Sequence, residues 1–268
     1  GMTIKVAAFP FDVRPAQVES NLHQVLNAVS NCGASGVQLL VLPEKWTTSF
    51  LAEYSAEIRA ESEEALLKVH QAAAAVDLIV VGSAPGGDGD KPANVAHVMG
   101  AAGDFRPYAK RMLFSPTGEG RQVERGMLQP VIVETAIGRI MPIICYDLRF
   151  PEICREALYQ QADILVCCAQ WPTPRAHAFE LLSCARAVEN QLFTISCNRS
   201  GEAALDGKRP MHFPESALVA DPLGKIHARC DDGSLLITEI DLESAEKVRT
   251  QVPISRDLRK AGLWPNQD

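Results

Sequence analysis

The feature that most constrains this chain is an alternation. Short continuous apolar runs bounded by turn residues trade places with longer stretches in which apolar residues recur every three or four positions. Residues 4–9, 37–42 and 78–82 have the length and composition of buried strands. Between them, Val18, Leu22, Val25, Leu26 and Val29 mark a helix over 16–31, closed by the small residues at 32–36, and a longer helical pattern covers 54–76. Residues 94–99 and 105–108 read as a hairpin, and 131–134 pairs with 139–144 across a short turn. A helix over 151–160, a strand at 164–168, a helix through Ala178 to Val188, and strands at 193–198, 216–220 and 235–240 follow. The charged tail from Leu242 is expected to hold a short helix at most and to reach toward a partner subunit. No repeat, linker or low-complexity tract divides residues 1–268. The pattern predicts one α/β domain with a mixed sheet and helices on its outer faces.

Composition removes several functions. The formal net charge is −7, so no basic surface points to nucleic acid. No apolar run approaches the ~20 residues that span a bilayer, and residues 1–20 lack the pattern of a signal peptide. Cysteines stand at 32, 145, 154, 167, 168, 184, 197 and 230, with no CxxC pair and several inside apolar runs. That usage suits packed thiols in a reducing cytoplasm and disfavours a disulfide framework or a zinc site. No metal or other cofactor is expected.

Three polar residues each follow a strand-like run: Glu44 after QLLVLP, Lys110 after FRPYA and Cys145 after IMPII. The carboxyl ends of strands in α/β sheets are where ligands bind, so residues distant in sequence can converge there. Singly, each has a plainer reading: Glu44 as a solvated loop acid, Lys110 beside Arg111 as surface charge, Cys145 as a packed small residue. Together they suit a thiol hydrolase without histidine. A strand-to-helix turn would hold the Cys145 thiol exposed, near backbone N–H groups that lower its pKa. Glu44 would be its base, while Lys110 and the Tyr146 N–H would receive the oxyanion. The irregular polar stretch 110–129 is long enough to be functional itself.

LPE at 42–44, YAKRMLF at 108–114 and ICYDLRFPE at 144–152 resemble, in order, the three catalytic blocks of the nitrilase (carbon–nitrogen hydrolase) superfamily. AQWP at 169–172, ARAVENQ at 185–191 and DPLG at 221–224 resemble later blocks of its amidase branches, so the likeness runs from Lys5 to about Ile254. The resemblance implies one carbon–nitrogen hydrolase domain folded as a four-layer α-β-β-α sandwich, and a homodimer or higher homo-oligomer. It implies a Glu44–Lys110–Cys145 triad, with Glu119 as a second active-site glutamate and Glu124 the alternative. It places Trp171 beside the pocket and gives Arg149 and Glu152 the task of bracing the nucleophile turn. The implied chemistry is amide hydrolysis through a Cys145 thioester. The subgroup most resembled acts on small ω-amides of dicarboxylic acids such as 2-oxoglutaramate, with N-carbamoyl or deaminated-glutathione amidases, or a silent binding protein on the same fold, as alternatives. The carboxylate of an ω-amide suits an Arg reader, for which Arg175 and Arg199 are candidates. Ala109, Met112 and PES at 214–216 depart from the usual blocks and bear on the subgroup.

Overall fold

In the computed structural model, which describes residues 2–266, the alternation becomes two sheets. β1 (Thr3–Ala8), α1 (Val18–Ala34), β2 (Leu39–Val41), α2 (Ala56–Ala75) and β3 (Ile79–Gly86) form two crossovers, so β1, β2 and β3 lie parallel. β4 (Ala93–Gly100) and β5 (Phe105–Ala109) extend that sheet antiparallel. A similar plan follows. β6 (Val133–Thr135) and β7 (Gly138–Ile144) form a hairpin; α3 (Pro151–Cys154) and α4 (Glu156–Tyr159) cross to β8 (Ile164–Cys168), and α5 (Ala176–Asn190) crosses to β9 (Phe193–Cys197). The two-residue strands β10 (Glu202–Ala203) and β11 (Met211–His212) pair alone. β12 (Ala217–Ala220) and β13 (Ile226–Cys230) add to β9, and β14 (Leu236–Asp241) returns to pair antiparallel with β1. The results are two six-stranded mixed sheets, ordered β14-β1-β2-β3-β4-β5 and β13-β12-β9-β8-β7-β6.

The continuous apolar runs are explained by burial on both strand faces. In β2, Leu39 and Val41 face the other sheet while Leu40 faces the helices, as a two-residue period requires. Val6, Val41 and Val81 of one sheet pack in the same core as Val166, Ile195 and Val219 of the other. α1 and α2 cover the first sheet through Val25, Val29, Leu66 and Val69, and α5 and α3 cover the second through Phe179 and Ile153. The order is helix, sheet, sheet, helix, as the resemblance implied.

Four expectations need correction. α1 runs through Cys32 and Gly33 to Ala34 instead of closing at Cys32. The helix expected over 151–160 is two four-residue helices meeting at Arg155. β13 was not anticipated, because an edge strand with exposed Ile226, His227 and Arg229 lacks an apolar run. The tail holds two helices, α6 (Leu242–Gln251) and α7 (Ile254–Lys260), the first capped by the Asp241 side chain, which accepts from Glu243 N at 3.0 Å. Their charged residues hid the helical period, since only Leu242 and Ala245 of α6 are buried. Among the described residues no helix is long and apolar enough to cross a membrane.

Candidate active site

The strand ends that carry Glu44, Lys110 and Cys145 come from both sheets and meet at one end of the sandwich. Glu44 N donates across to Ala169 O at 3.3 Å, tying the two sheets together where the polar residues gather. Lys110 Nζ donates to Glu44 Oε2 at 2.8 Å and to Glu119 Oε1 and Oε2 at 2.7 and 2.9 Å. All three residues are at most 1% exposed. Asn94 Nδ2 also donates to Glu44 Oε2, at 2.8 Å, whereas Glu44 Oε1 has no protein partner.

Glu119 reaches this cluster because the 110–129 stretch folds back. Single 3-10 turns at Ser115–Thr117 and Glu119–Arg121 are joined by Gly118, whose φ of +69° suits a residue without a Cβ. The segment closes where Gly126 N donates to Lys110 O at 2.9 Å, so tightly that a Cβ there would collide with the Ala109 carbonyl. Glu124, the alternative second glutamate, is exposed.

Cys145 follows β7 and begins a 3-10 turn over Cys145–Arg149 with φ at +47°, a left-handed backbone costly for a residue with a side chain. Asp147 holds that turn. Its carboxylate accepts from Ile144 N at 3.0 Å, Met112 N at 3.0 Å and the Tyr108 hydroxyl at 2.8 Å. Arg186 of α5 donates to Leu148 O through Nε and Nη2 at 3.0 and 2.9 Å. The bracing expected of Arg149 and Glu152 thus belongs to Asp147 and Arg186. Glu152 is exposed, and Arg149 places its guanidinium 4.9 Å from the Trp171 ring centre, in the wall of the cleft.

The electrostatics differ from expectation at the thiol. Burial and the neighbouring Glu44 charge push the Cys145 pKa well above its ordinary value, and Lys110 opposes them. The thiol is buried, not exposed, so the turn does not yield a resting thiolate. Its Sγ is 3.7 Å from Gln170 O. Burial also raises Glu44, against the pull of Lys110. Burial alone would lower Lys110, but Glu119 and Glu44 outweigh it and hold the ammonium well above its ordinary range. A reaction that used Cys145 as a nucleophile would therefore need a base to take its proton.

A cleft opens over these groups. Glu44, Lys110 and Cys145 form its floor, and Phe50, Phe114, Thr117, Tyr146, Arg149, Trp171, Arg175 and Leu205 are in its wall. The Tyr146 ring is held edge-on by Phe114 and Phe150 at 5.1 and 4.9 Å. Trp171 is fixed by its Nε1–H to Arg175 O at 2.8 Å, and by a reciprocal pair with Asn198. Arg199 does not line the cleft. It is fully buried, paired with Asp12 at 2.9 Å, and donates to Gln170 Oε1 at 3.0 Å, which leaves the Gln170 amide nitrogen to grip Glu44 O at 2.6 Å. Asn94, Asp147, Gln170 and Arg186 were thus missed as site-building residues. Three of them lie inside the recognised blocks, but Asn94 carries no such signal.

A family model described as carbon-nitrogen hydrolase matches residues 5–250. The chain is 33% identical to the omega-amidase YafV of Yersinia enterocolitica, over 83% of this chain and 84% of that one. It is 28% identical to a 2-oxoglutaramate amidase of Bacillus subtilis, over 95% and 97% of the two chains. A solved structure of a CN-hydrolase superfamily protein, XC1258 from Xanthomonas campestris, superposes with a TM-score of 0.82 at 24% identity, covering 95% of this chain and 97% of that one.

Proposed function

The chain belongs to the carbon–nitrogen hydrolase family and is a hydrolase acting on amides, and from that premise we propose that it cleaves the ω-amide of a small dicarboxylic acid, of the 2-oxoglutaramate type, to the acid and ammonia. The observation that carries the mechanism is the asymmetry of the Glu44 carboxylate. Oε2 is fixed by Lys110 and Asn94, while Oε1 is buried in the cleft floor without a protein partner. A base so held can take the Cys145 proton as Sγ attacks the amide carbon. The oxyanion rests on the Lys110 ammonium and the Tyr146 N–H. Glu44 returns the proton to the departing nitrogen, ammonia leaves, and a thioester remains on Cys145. Water deprotonated by Glu44 then attacks the thioester, releasing the acid and restoring the thiol. Glu119 keeps Lys110 in place and charged throughout.

The substrate class draws support from the names of the relatives and from the wall. Arg149 and Arg175 line the cleft, and among the described residues neither guanidinium has a carboxylate within ion-pair distance. A carboxylate at the far end of the substrate would supply one, with bidentate geometry available to a guanidinium. The eight free cysteines suit the cytoplasm. Leu181 and Val188, exposed and seven residues apart on α5, suit a homo-oligomer, which the mass in solution tests.

The test is ammonia release across a panel of ω-amides, N-carbamoyl amino acids, deaminated glutathione and neutral short amides. The ω-amides should lead by kcat/KM; a lead by any other class overturns the substrate assignment. Cys145→Ala should lower kcat by at least about 10⁴-fold, and wild-type enzyme quenched during turnover should carry the acyl mass on Cys145. Full ammonia release by the alanine variant would remove Cys145 as the nucleophile.

A further inference from the structure

The cluster at the cleft floor is not neutral. Glu44 and Glu119 bring two negative charges to one ammonium, Lys110. A second ammonium is buried beside them. Lys45 follows Glu44 in the chain and is fully buried, with its backbone at φ +45° and its N–H donating to Ser83 Oγ at 2.8 Å. Lys45 Nζ donates to the Tyr54 hydroxyl at 2.7 Å and lies 4.1 Å from the centre of the Phe50 ring. The same ring stands 5.9 Å from Lys110 Nζ and lines the cleft. Among the described residues Lys45 forms no ion pair. A hydroxyl and a ring face recover only part of what an ammonium loses on leaving water. The balance must come from negative charge at longer range, and the surplus at Glu44 and Glu119 is the charge available.

We propose that Lys45 is a positioning residue of the amide-cleaving site: its ammonium, clasped by Tyr54 and Phe50, offsets the surplus negative charge on the cleft floor and keeps Glu44 ionised as the base. The inference rests on Glu44 being that base. The groups that bear on Glu44 are Lys110 and Asn94 at Oε2, Glu119 across Lys110, the thiols of Cys145 and Cys168, and Lys45. Burial and Glu119 favour the protonated carboxyl, and Lys110 and Lys45 favour the ionised one. Lys45 itself faces the Tyr54 hydroxyl and, past Phe50, Lys110; Asp147 feels Lys110 from the far side.

The sign follows directly. Without the Lys45 charge, Glu44 binds its proton more tightly, so the pH below which the base is lost moves up. Lys45→Met, which keeps the length without the charge, should move the acid limb of kcat/KM upward by about one pH unit. The rate at which iodoacetamide alkylates Cys145 should show the same displacement, while Lys45→Arg should keep the wild-type limb. A methionine variant with an unmoved limb and uniformly slower rates overturns the proposal, because Lys45 would then only fill space. If that variant does not fold, Tyr54→Phe, which loosens the ammonium but keeps it, should displace the limb in the same direction by less; no displacement there overturns the proposal equally. Alkylation displaces iodide at carbon and does not pass through amide cleavage. A wild-type acid limb that persists in Glu44→Gln would instead remove Glu44 as the base.

Discussion

The floor and the wall of the cleft hold charge in opposite ways. On the floor, Lys110 is paired with two carboxylates, and Lys110, Glu44 and Glu119 are each at most 1% exposed. On the wall, Arg149 lies against Trp171 and Arg175 is exposed, and neither has an acidic partner among the described residues. Buried charges that pair with one another cannot reorient, which is what preorganised stabilisation of a developing oxyanion requires. Charges left unpaired in contact with water cost little until a ligand arrives, and then they select its charge. In the proposed mechanism this difference separates chemistry from specificity within one cleft.

The comparison breaks most severely on the floor. Lys110→Met leaves Glu44 and Glu119 together without their cation, so one must take a proton or the fold must open. Loss of the oxyanion donor alone should lower kcat by about 10²–10³-fold. The uncompensated carboxylates should lower unfolding free energy by about 3–5 kcal/mol, read by denaturant titration. A variant that loses activity without losing stability would mean that the carboxylates are not held together as tightly as the 2.7–2.9 Å contacts imply.

On the wall the effect should be smaller and should fall on binding. Arg149→Met is expected to raise KM for a carboxylate-bearing amide by about 10–100-fold, the scale of one charge-assisted interaction, with kcat nearly unchanged. A neutral amide of similar length should be indifferent to the substitution. Equal losses on both amides would mean that Arg149 acts by propping Trp171, not by reading charge.

The same division governs what was legible in the amino-acid sequence. Glu44, Lys110 and Cys145 each follow a strand-like run inside an ordered block, so their convergence was legible in the sequence, whereas Glu119 rested on the resemblance alone. The wall was not legible. Which way a residue faces from a 3-10 turn does not follow from apolar spacing, and Arg149 was assigned the bracing that Asp147 performs. Asp147 and Arg186 are buried because the turn at Cys145–Arg149 leaves Ile144 N and Leu148 O needing partners. That need is invisible until the turn is built. Lys45 is the extreme case: a lysine next to Glu44, for which the sequence offers no signal of burial, is fully buried.

His97 sharpens the comparison by supplying the missing combination, a group buried and unpaired. On β4 it alternates with Ala96 and Val98, which pack inward, so it lies on the outer face with Met99. There it sits opposite Gly82, whose bare Cα makes room for Trp46. Neither imidazole nitrogen has a protein partner. Burial, with the nearby Arg106 charge, pushes its pKa down from 6.5 to about 3. The folded state therefore refuses a proton that the unfolded chain accepts below 6.5, so this contribution is complete above that pH and is lost toward pH 3, about 5 kcal/mol in all. Asp147 runs the other way. Burial lifts it from 3.8 to about 7, against Lys110 and its hydrogen bonds, so its contribution is complete below 3.8 and is lost as pH rises to 7, about 4 kcal/mol. Over the shared window these two slopes oppose and nearly cancel each other. His97→Leu removes one slope and exposes the other: relative to wild type it should gain about 2 kcal/mol at pH 5 over its difference at pH 7, measured by denaturant titration at both. A wild-type-minus-variant difference independent of pH would show that His97 ionises as readily in the fold as out of it, and that burial without a partner does not set its charge.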